Sequence, residues 1–477
     1  MVCAALLVLT AARAQELVVP HYYPEELRQD LELIRSTLHQ SHPDPYRYHT
    51  RVELDRRFDQ LSASLAQPLT AEQFIAATMP VLRLLGDAHT DLGPPQGLAD
   101  AYAHTEPLLP LKVAVIDNML YVDEELKGFR SMPLGSRIVS VNGHPAPSIL
   151  SELRDGLLAD GSDTTLIDRR IEQDFPVLYR RLVERADDFA LDIITPDGAR
   201  RTEKLFALTG DEIARSYKPK GLDLQPWRTE VHADIGVTWL TLATLDNAVL
   251  ERDGISAARF LADVRDALAK DGTTTLVIDV RGAGGIDLGM AEQVFALIAQ
   301  RPYRVIQNMT VRSAQVPDSY KYAAPAEEFY AAVGGSYLPD LNGMMTLRPD
   351  DPRLEHLKPD AKAYAGKVYV VCDGGTREAG AAFVMLAART GRARVVGEET
   401  GSNALSFCAG RELLITLPRT GCVLHVPLTR FVPDGTVAGP VDRGELPHHV
   451  VVQRPWGLVK GHDTVREALL EVIRELR

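Results

Sequence analysis

Glu378 stands where a β-branched and aromatic run, Lys367-Val-Tyr-Val-Val-Cys372, gives way through Asp373-Gly374-Gly375-Thr376 to an alanine-rich helical run ending near Thr390. The pattern spells strand, tight turn and helix. Such a turn lifts one side chain clear of a sheet and aims a helix's free N–H groups at it, which suits the nucleophile of a hydrolase. A second chemical cluster, Asp87, His89, Thr90 and Asp91, crowds into the turn Leu-Gly-Asp-Ala-His-Thr-Asp-Leu-Gly. A third stretch, Asp279-Val-Arg-Gly-Ala-Gly-Gly-Ile286, has neither the GxGxxG spacing of a dinucleotide site nor the Gly-Lys-Ser/Thr of a phosphate loop. Its glycines let backbone N–H groups approach a ligand, which in acyl transfer is the developing oxyanion.

These three turns need a scaffold. From Pro24 to about Leu85 apolar residues recur at helical spacing: Leu27, Leu31, Ile34 and Leu38, then Leu54, Phe58, Leu61 and Leu65, then a third helix opening at Thr70 with Gln73 as its capping partner. Beyond Pro94 and Pro95 the period becomes two, with a hairpin around Asp117-Asn118, a strand at Ile138 to Val141, a helix at Ser148 to Leu158 and a hairpin around Pro196-Asp197-Gly198. From Val237 the chain alternates in βαβ fashion: strands at 237–242, 274–280, 304–311, 367–372 and 393–397, helices at 255–269, 290–299 and 378–390. The segment 313–366 interrupts this alternation and is read as a structureless lid or binding loop. A hairpin at 412–417 and 422–428 and a helix at 464–476 close the chain.

Composition sets the outer limits. The 477 residues, 45% hydrophobic and 25% charged, suit a globular protein of two to four domains. With 52 Lys+Arg against 65 Asp+Glu there is no basic tract for a phosphate backbone, so nucleic acid is excluded as an expected partner. Residues 1–14 are apolar, end in Ala12-Arg13-Ala14 and read as a secretory signal peptide, so the protein is expected to be exported, periplasmic or extracellular. Its removal leaves Cys372, Cys408 and Cys422, with neither a disulfide framework nor paired zinc-ligand spacing. His39, His42 and His49 lack a carboxylate or cysteine at ligand spacing and are read as solvated loop residues, so no metal and no cofactor is expected.

Taken in order, the Asp87-Ala88-His89-Thr90 turn, the 279–285 glycine loop, the Glu378 turn and Gly397-Glu398-Glu399-Thr400-Gly401 resemble the tail-specific (C-terminal-processing) serine protease family, on its tricorn-core and interphotoreceptor retinoid-binding-like branch. The resemblance implies a multidomain α/β fold. Its parts are a helical cap (24–95), a degenerate PDZ-like β-rich module (105–210), a ClpP/crotonase-like α/β protease core (225–457) with the 313–366 insertion, and a C-terminal helix (460–477). It also implies that His89 is the general base, that Gly284, Gly285 and Ala379 form the oxyanion hole, and that peptide or protein C-termini are bound. Glu378 falls where the family has its nucleophilic serine, and Ser402-Asn403 where another branch has an activating lysine. A carboxylate attacking an amide yields a mixed anhydride that collapses back, so weak or absent proteolysis is expected. Two alternatives stand beside it: a hydrolase using His89 and Glu378 as acid and base on a non-peptide substrate, and a carrier of an apolar ligand. The plain structural reading of Glu378 is a first-turn carboxylate gaining about 0.3–1 kcal/mol from the helix dipole.

Overall fold

A computed structural model describes residues 20–476 apart from 129, 218–224, 271 and 324–325; the signal peptide read at 1–14 lies outside the described residues. Three helices open the fold: α1 (Pro24–Ser41), α2 (Arg51–Ser64) and α3 (Ala71–Leu82). Thr50 and Thr70 cap α2 and α3, each in a reciprocal capping box, with Glu53 and Gln73. The apolar faces built by Leu27, Leu31, Ile34, Leu38, Leu54 and Phe58 share one core cluster with Leu413, Leu424, Val426 and Leu428 of the C-terminal hairpin. A helix triplet distant in sequence is thus seated directly on late strands.

The middle of the chain contains β1 (Leu111–Ile116), β2 (Met119–Glu125), β3 (Arg137–Val141), α4 (Ala146–Asp155), α5 (Thr165–Leu182), β4 (Asp188–Ile194) and β5 (Arg200–Phe206). The five strands form one antiparallel sheet in chain order, with β1 and β5 at its edges. Asp117 and Asn118 both take positive φ, 51° and 59°, as a two-residue hairpin turn demands. The 18-residue α5 was not expected from the sequence. Pro176 and the non-helical Asp174 break its local signal, but Ile171, Phe175 and Tyr179 hold it against the sheet.

The remainder supplies β6 (Trp227–His232), β7 (Val237–Leu242), α6 (Ala257–Leu268), β8 (Thr275–Asp279), α7 (Gly289–Ala296), β9 (Ile306–Val311), β10 (Lys367–Cys372), α8 (Ala379–Arg389), β11 (Arg394–Gly397), β12 (Phe407–Thr416), β13 (Val423–Pro433) and α9 (Thr464–Glu475). Strands β7, β8, β10 and β11 run parallel, with β6 antiparallel on one edge and the short strand His449–Val450 on the other. Every residue of β7 and β8 is buried, as a parallel sheet covered on both faces requires.

Two expectations are corrected. Strand β9 does not join the parallel series; it pairs antiparallel with β13 in a second sheet that also holds β12. An apolar run specifies a strand but not which sheet receives it. The 313–366 segment is not structureless either: it folds into the helix Glu327–Ser336 and the strands Tyr337–Pro339 and Met345–Leu347, the latter paired with β9. Val333, Tyr337 and Leu347 are buried in the main core, so burial rather than regular periodicity orders this piece. No helix among the described residues is long and apolar enough to cross a membrane.

Candidate active site

His89 is set by the turn that ends the helical cap. Gly86, in the left-handed conformation at φ 58°, stops a short 3-10 turn at Arg83–Leu85, and the chain then folds around the buried carboxylate of Asp87. Asp87 accepts from the backbone N–H of His89 at 3.1 Å, from Thr90 Oγ1 at 2.5 Å and from His42 Nε2 at 3.0 Å. The neighbouring Ala88 donates its N–H to Asp160 Oδ1 at 2.9 Å and accepts from the Arg170 guanidinium at 3.1 Å. Two residues past His89, Asp91–Gly93 pairs antiparallel with Val423–His425 of β13. The imidazole is therefore held from the cap, the middle module and the second sheet at once.

Glu378 is held as firmly. The buried Thr376 hydroxyl donates to Val280 O at 2.8 Å, Arg377 N to Ala283 O at 2.9 Å, and Gly282 N to Asp373 Oδ1 at 2.8 Å, so the turn after β10 is laced to the glycine loop after β8. A Cβ on Gly380 would lie 2.2 Å from Ala283 O, which only glycine avoids. Glu378 itself takes φ 52° and ψ −117°, a backbone conformation costing on the order of 1–3 kcal/mol for a residue with a side chain. The family of turns that carries nucleophiles at strand-to-helix junctions is strained in this way. It is thus the N-cap of α8 rather than a first-turn residue, and its N–H donates to Ser402 Oγ at 2.8 Å.

The two turns meet. Glu378 Oε1 lies 2.8 Å from His89 Nε2, and Glu378 Oε2 accepts from Gly285 N at 2.8 Å, with side-chain exposures of 9% for His89 and 8% for Glu378. Burial alone would push the Glu378 carboxyl up, but the hydrogen bond and charge of His89, the charge of Arg377 and the Gly285 N–H outweigh it and hold it down at about 2. Burial would push His89 down, and the carboxylates of Asp87 and Glu378 overcome it and raise the imidazole to about 10. The second oxyanion donor expected from sequence is corrected: Ala379 N donates to Gly285 O at 3.0 Å and is not free. Gly284 lies beside the Arg377 side chain, its carbonyl accepting from Leu245 N at 2.8 Å. In the loop as it stands the Gly285 N–H is taken by Glu378.

A cleft of about 1110 Å³ runs between the middle module and the core, walled by Val113 to Asn118 of the β1 edge, by Arg169 and Glu172 of α5, and by Arg281, Asp373 and Arg377 of the core turns. Arg377 lines it, whereas His89 and Glu378, whose side chains are mostly buried, do not. The Arg377 guanidinium makes no hydrogen bond or ion pair among the described residues, although its backbone is bonded to Ala283 and Gly380.

His42 departs from its reading as a solvated loop residue: it is fully buried against Asp87, a pairing across 45 positions that no local spacing reveals. His39 bridges Tyr46 and Asp55 through its two ring nitrogens, at 2.6 and 2.7 Å. Asp160 was not singled out in the sequence, and Ser402 was named only as standing where another branch has an activating lysine; folding brings both to the two turns. Cys372, Cys408 and Cys422 are buried free thiols.

Residues 239–430 match the family model of peptidase family S41. No curated protein sequence matches the chain. Among solved structures, mature CPAF superposes with a TM-score of 0.67 at 14% identity, over 94% of this chain and 97% of that one. Mature CPAF complexed with lactacystin gives 0.69 at 14% identity, over 95% and 98%. A photosystem II D1 C-terminal processing protease aligns over 94% of this chain and 97% of its own at 16% identity, with a TM-score of 0.46.

Proposed function

We propose that this chain, whose residues 239–430 match the model of peptidase family S41, belongs to that family, in keeping with the tail-specific protease resemblance, and binds peptide or protein C-termini without cutting them. The observation that carries this reading is the double engagement of Glu378: one oxygen holds His89 Nε2 and the other occupies Gly285 N, the donor an oxyanion would need. A serine in this place would leave His89 free to take its proton and Gly285 free to stabilise the tetrahedral intermediate. The carboxylate occupies both, and any adduct it formed with an amide carbonyl would revert. The cleft's polar wall of Lys112, Asp117, Arg169, Glu172, Arg281 and Asp373 suits a polar peptide end better than an apolar cargo, and the middle module beside it supports the PDZ-like role. The locked His89–Glu378 ion pair likewise counts against acid and base work on another substrate.

The test compares the unmodified chain with Glu378→Ser. The unmodified chain is expected to leave peptides intact and to ignore serine-directed fluorophosphonate reagents, yet to bind C-terminal peptides in fluorescence anisotropy. Glu378→Ser is expected to gain labelling first and slow hydrolysis second, since Ala379 N must leave Gly285 O before a two-donor hole exists. Peptide hydrolysis by the unmodified chain that disappears in His89→Ala would overturn the reading.

A further inference from the structure

On the side of His89 away from Glu378 lies a buried cluster that the peptidase chemistry leaves unused. Asp87, His89 and Asp160 each present a ligand-type atom, all within 4.8 Å of one another. Asp87 and Asp160 are 4% and 2% exposed, and two carboxylates converging out of water are costly unless one takes a proton or a cation stands beside them. The polar atom aimed into this space is His89 Nδ1, buried and without a hydrogen-bond partner on a side chain only 9% exposed.

Glu378 determines what Nδ1 can do. Because the carboxylate accepts at Nε2, that nitrogen keeps its proton, so the proton an incoming cation displaces from the imidazolium is the one on Nδ1, which leaves the ligating lone pair there. A carboxylate that fixes the tautomer from one side while the other ring nitrogen ligates is the usual support of a metal-bound histidine. Distance points the same way. His89 Nδ1 lies 3.7 Å from Asp87 Oδ1, too long for a hydrogen bond but close to the roughly 3.3 Å that separates two ligands of one tetrahedral ion bound at about 2.0 Å.

The two carboxylates have supports of their own. His42 accepts from Asp44 N at Nδ1, so its proton is on Nε2 and is donated to Asp87 Oδ2, which Thr90 Oγ1 also engages. Asp160 is oriented by the N–H groups of Ala88 and Asn403, at 2.9 and 3.1 Å. A second grouping, His42, Asp87 and Cys408, also lies within ligand distance, but both nitrogens of His42 are already engaged.

We propose that Asp87, His89 through Nδ1, and Asp160 form a binding site for a divalent transition-metal cation of the zinc class, with Glu378 and His42 as its positioning residues. One imidazole and two carboxylates favour such an ion over magnesium, which keeps its waters and prefers an all-oxygen shell. In this arrangement the histidine of a serine-peptidase site has become a metal ligand, and the exchange of serine for glutamate is what frees its other nitrogen.

Metal-free full-length protein titrated calorimetrically with Zn²⁺ at pH 7.5, without any peptide, is expected to take up one equivalent. Mg²⁺ is expected to bind at least a hundredfold more weakly. Asp160→Asn, which keeps the side chain's shape, and His89→Ala are each expected to weaken Zn²⁺ more than tenfold, and Glu378→Ala about tenfold. Should a variant fold poorly, Co²⁺ added to the unmodified chain reads the same site as a visible d–d band that Zn²⁺ displaces. The proposal is overturned by less than one equivalent of Zn²⁺, by uptake that survives both Asp160→Asn and His89→Ala, or by ¹⁵N shifts showing His89 as an imidazolium only, unchanged by Zn²⁺. None of these readouts depends on peptide binding, so the failure of either reading is distinguishable from that of the other.

Discussion

Glu378 combines a conformation that penalises a side chain with two hydrogen bonds that only a side chain can make. The two contributions can be separated by substitution. Glu378→Ala and Glu378→Gly lose the same bonds to His89 and Gly285, but glycine is relieved of the positive φ, so the glycine variant is expected to be the more stable by about 1 kcal/mol in urea unfolding. Equal stabilities, or alanine ahead, would mean that the turn relaxes and stores no strain. The sequence placed Glu378 and His89 on their turns because each turn has a local signature, a strand halted by Asp-Gly-Gly-Thr and a helix halted at Gly86. It did not show which groups His42, Asp160 and Ser402 would meet, since those partners lie 45, 72 and 24 residues away and nothing in the local spacing encodes such a meeting. The Ala379 donor failed for a related reason: residue type fixes that an N–H exists, not which carbonyl claims it.

The edge of the middle sheet is where a peptide strand would add, and there the fold has placed side chains on the backbone groups in question. Glu172 Oε1 accepts from Val115 N at 2.7 Å, Arg169 donates to Val115 O at 3.3 Å, and the two side chains pair at 2.9 Å. A peptide adding to β1 must displace both. Burial pushes the Glu172 carboxyl up to about 8, against Arg169 and the Val115 N–H and together with the charges of Glu398 and Asp373. The folded state therefore holds this proton more tightly than the unfolded chain, whose glutamate titrates near about 4.3, and stability falls as pH rises from there to about 8. Urea unfolding of the unmodified chain is expected to weaken more steeply between pH 5 and 8 than that of Glu172→Gln; parallel profiles would rule this out. Helix α5, which carries both residues, escaped the sequence reading because Pro176 interrupts the pattern that its tertiary packing restores.

At the scale of the whole molecule, most of the parallel core was legible because strands buried on both faces write continuous apolar runs. The second sheet was not, because antiparallel partners far apart in the chain share no signal. The 313–366 segment shows the consequence: with Met345–Leu347 paired to β9 and Val333, Tyr337 and Leu347 in the core, its deletion is expected to abolish cooperative folding. A soluble truncated chain with a native circular-dichroism spectrum and a sharp thermal transition would show instead that it is a dispensable cover. The pairing of Asp91–Gly93 with β13 bears on time as well as space. The histidine turn is synthesised early, but the strand that fixes it follows roughly 330 residues later, about 17–70 s of elongation at 5–20 residues per second. For most of that interval the nascent chain carries His89 without Glu378, and throughout it without the β13 edge, so whatever the site binds, it begins to bind only when the chain is almost complete.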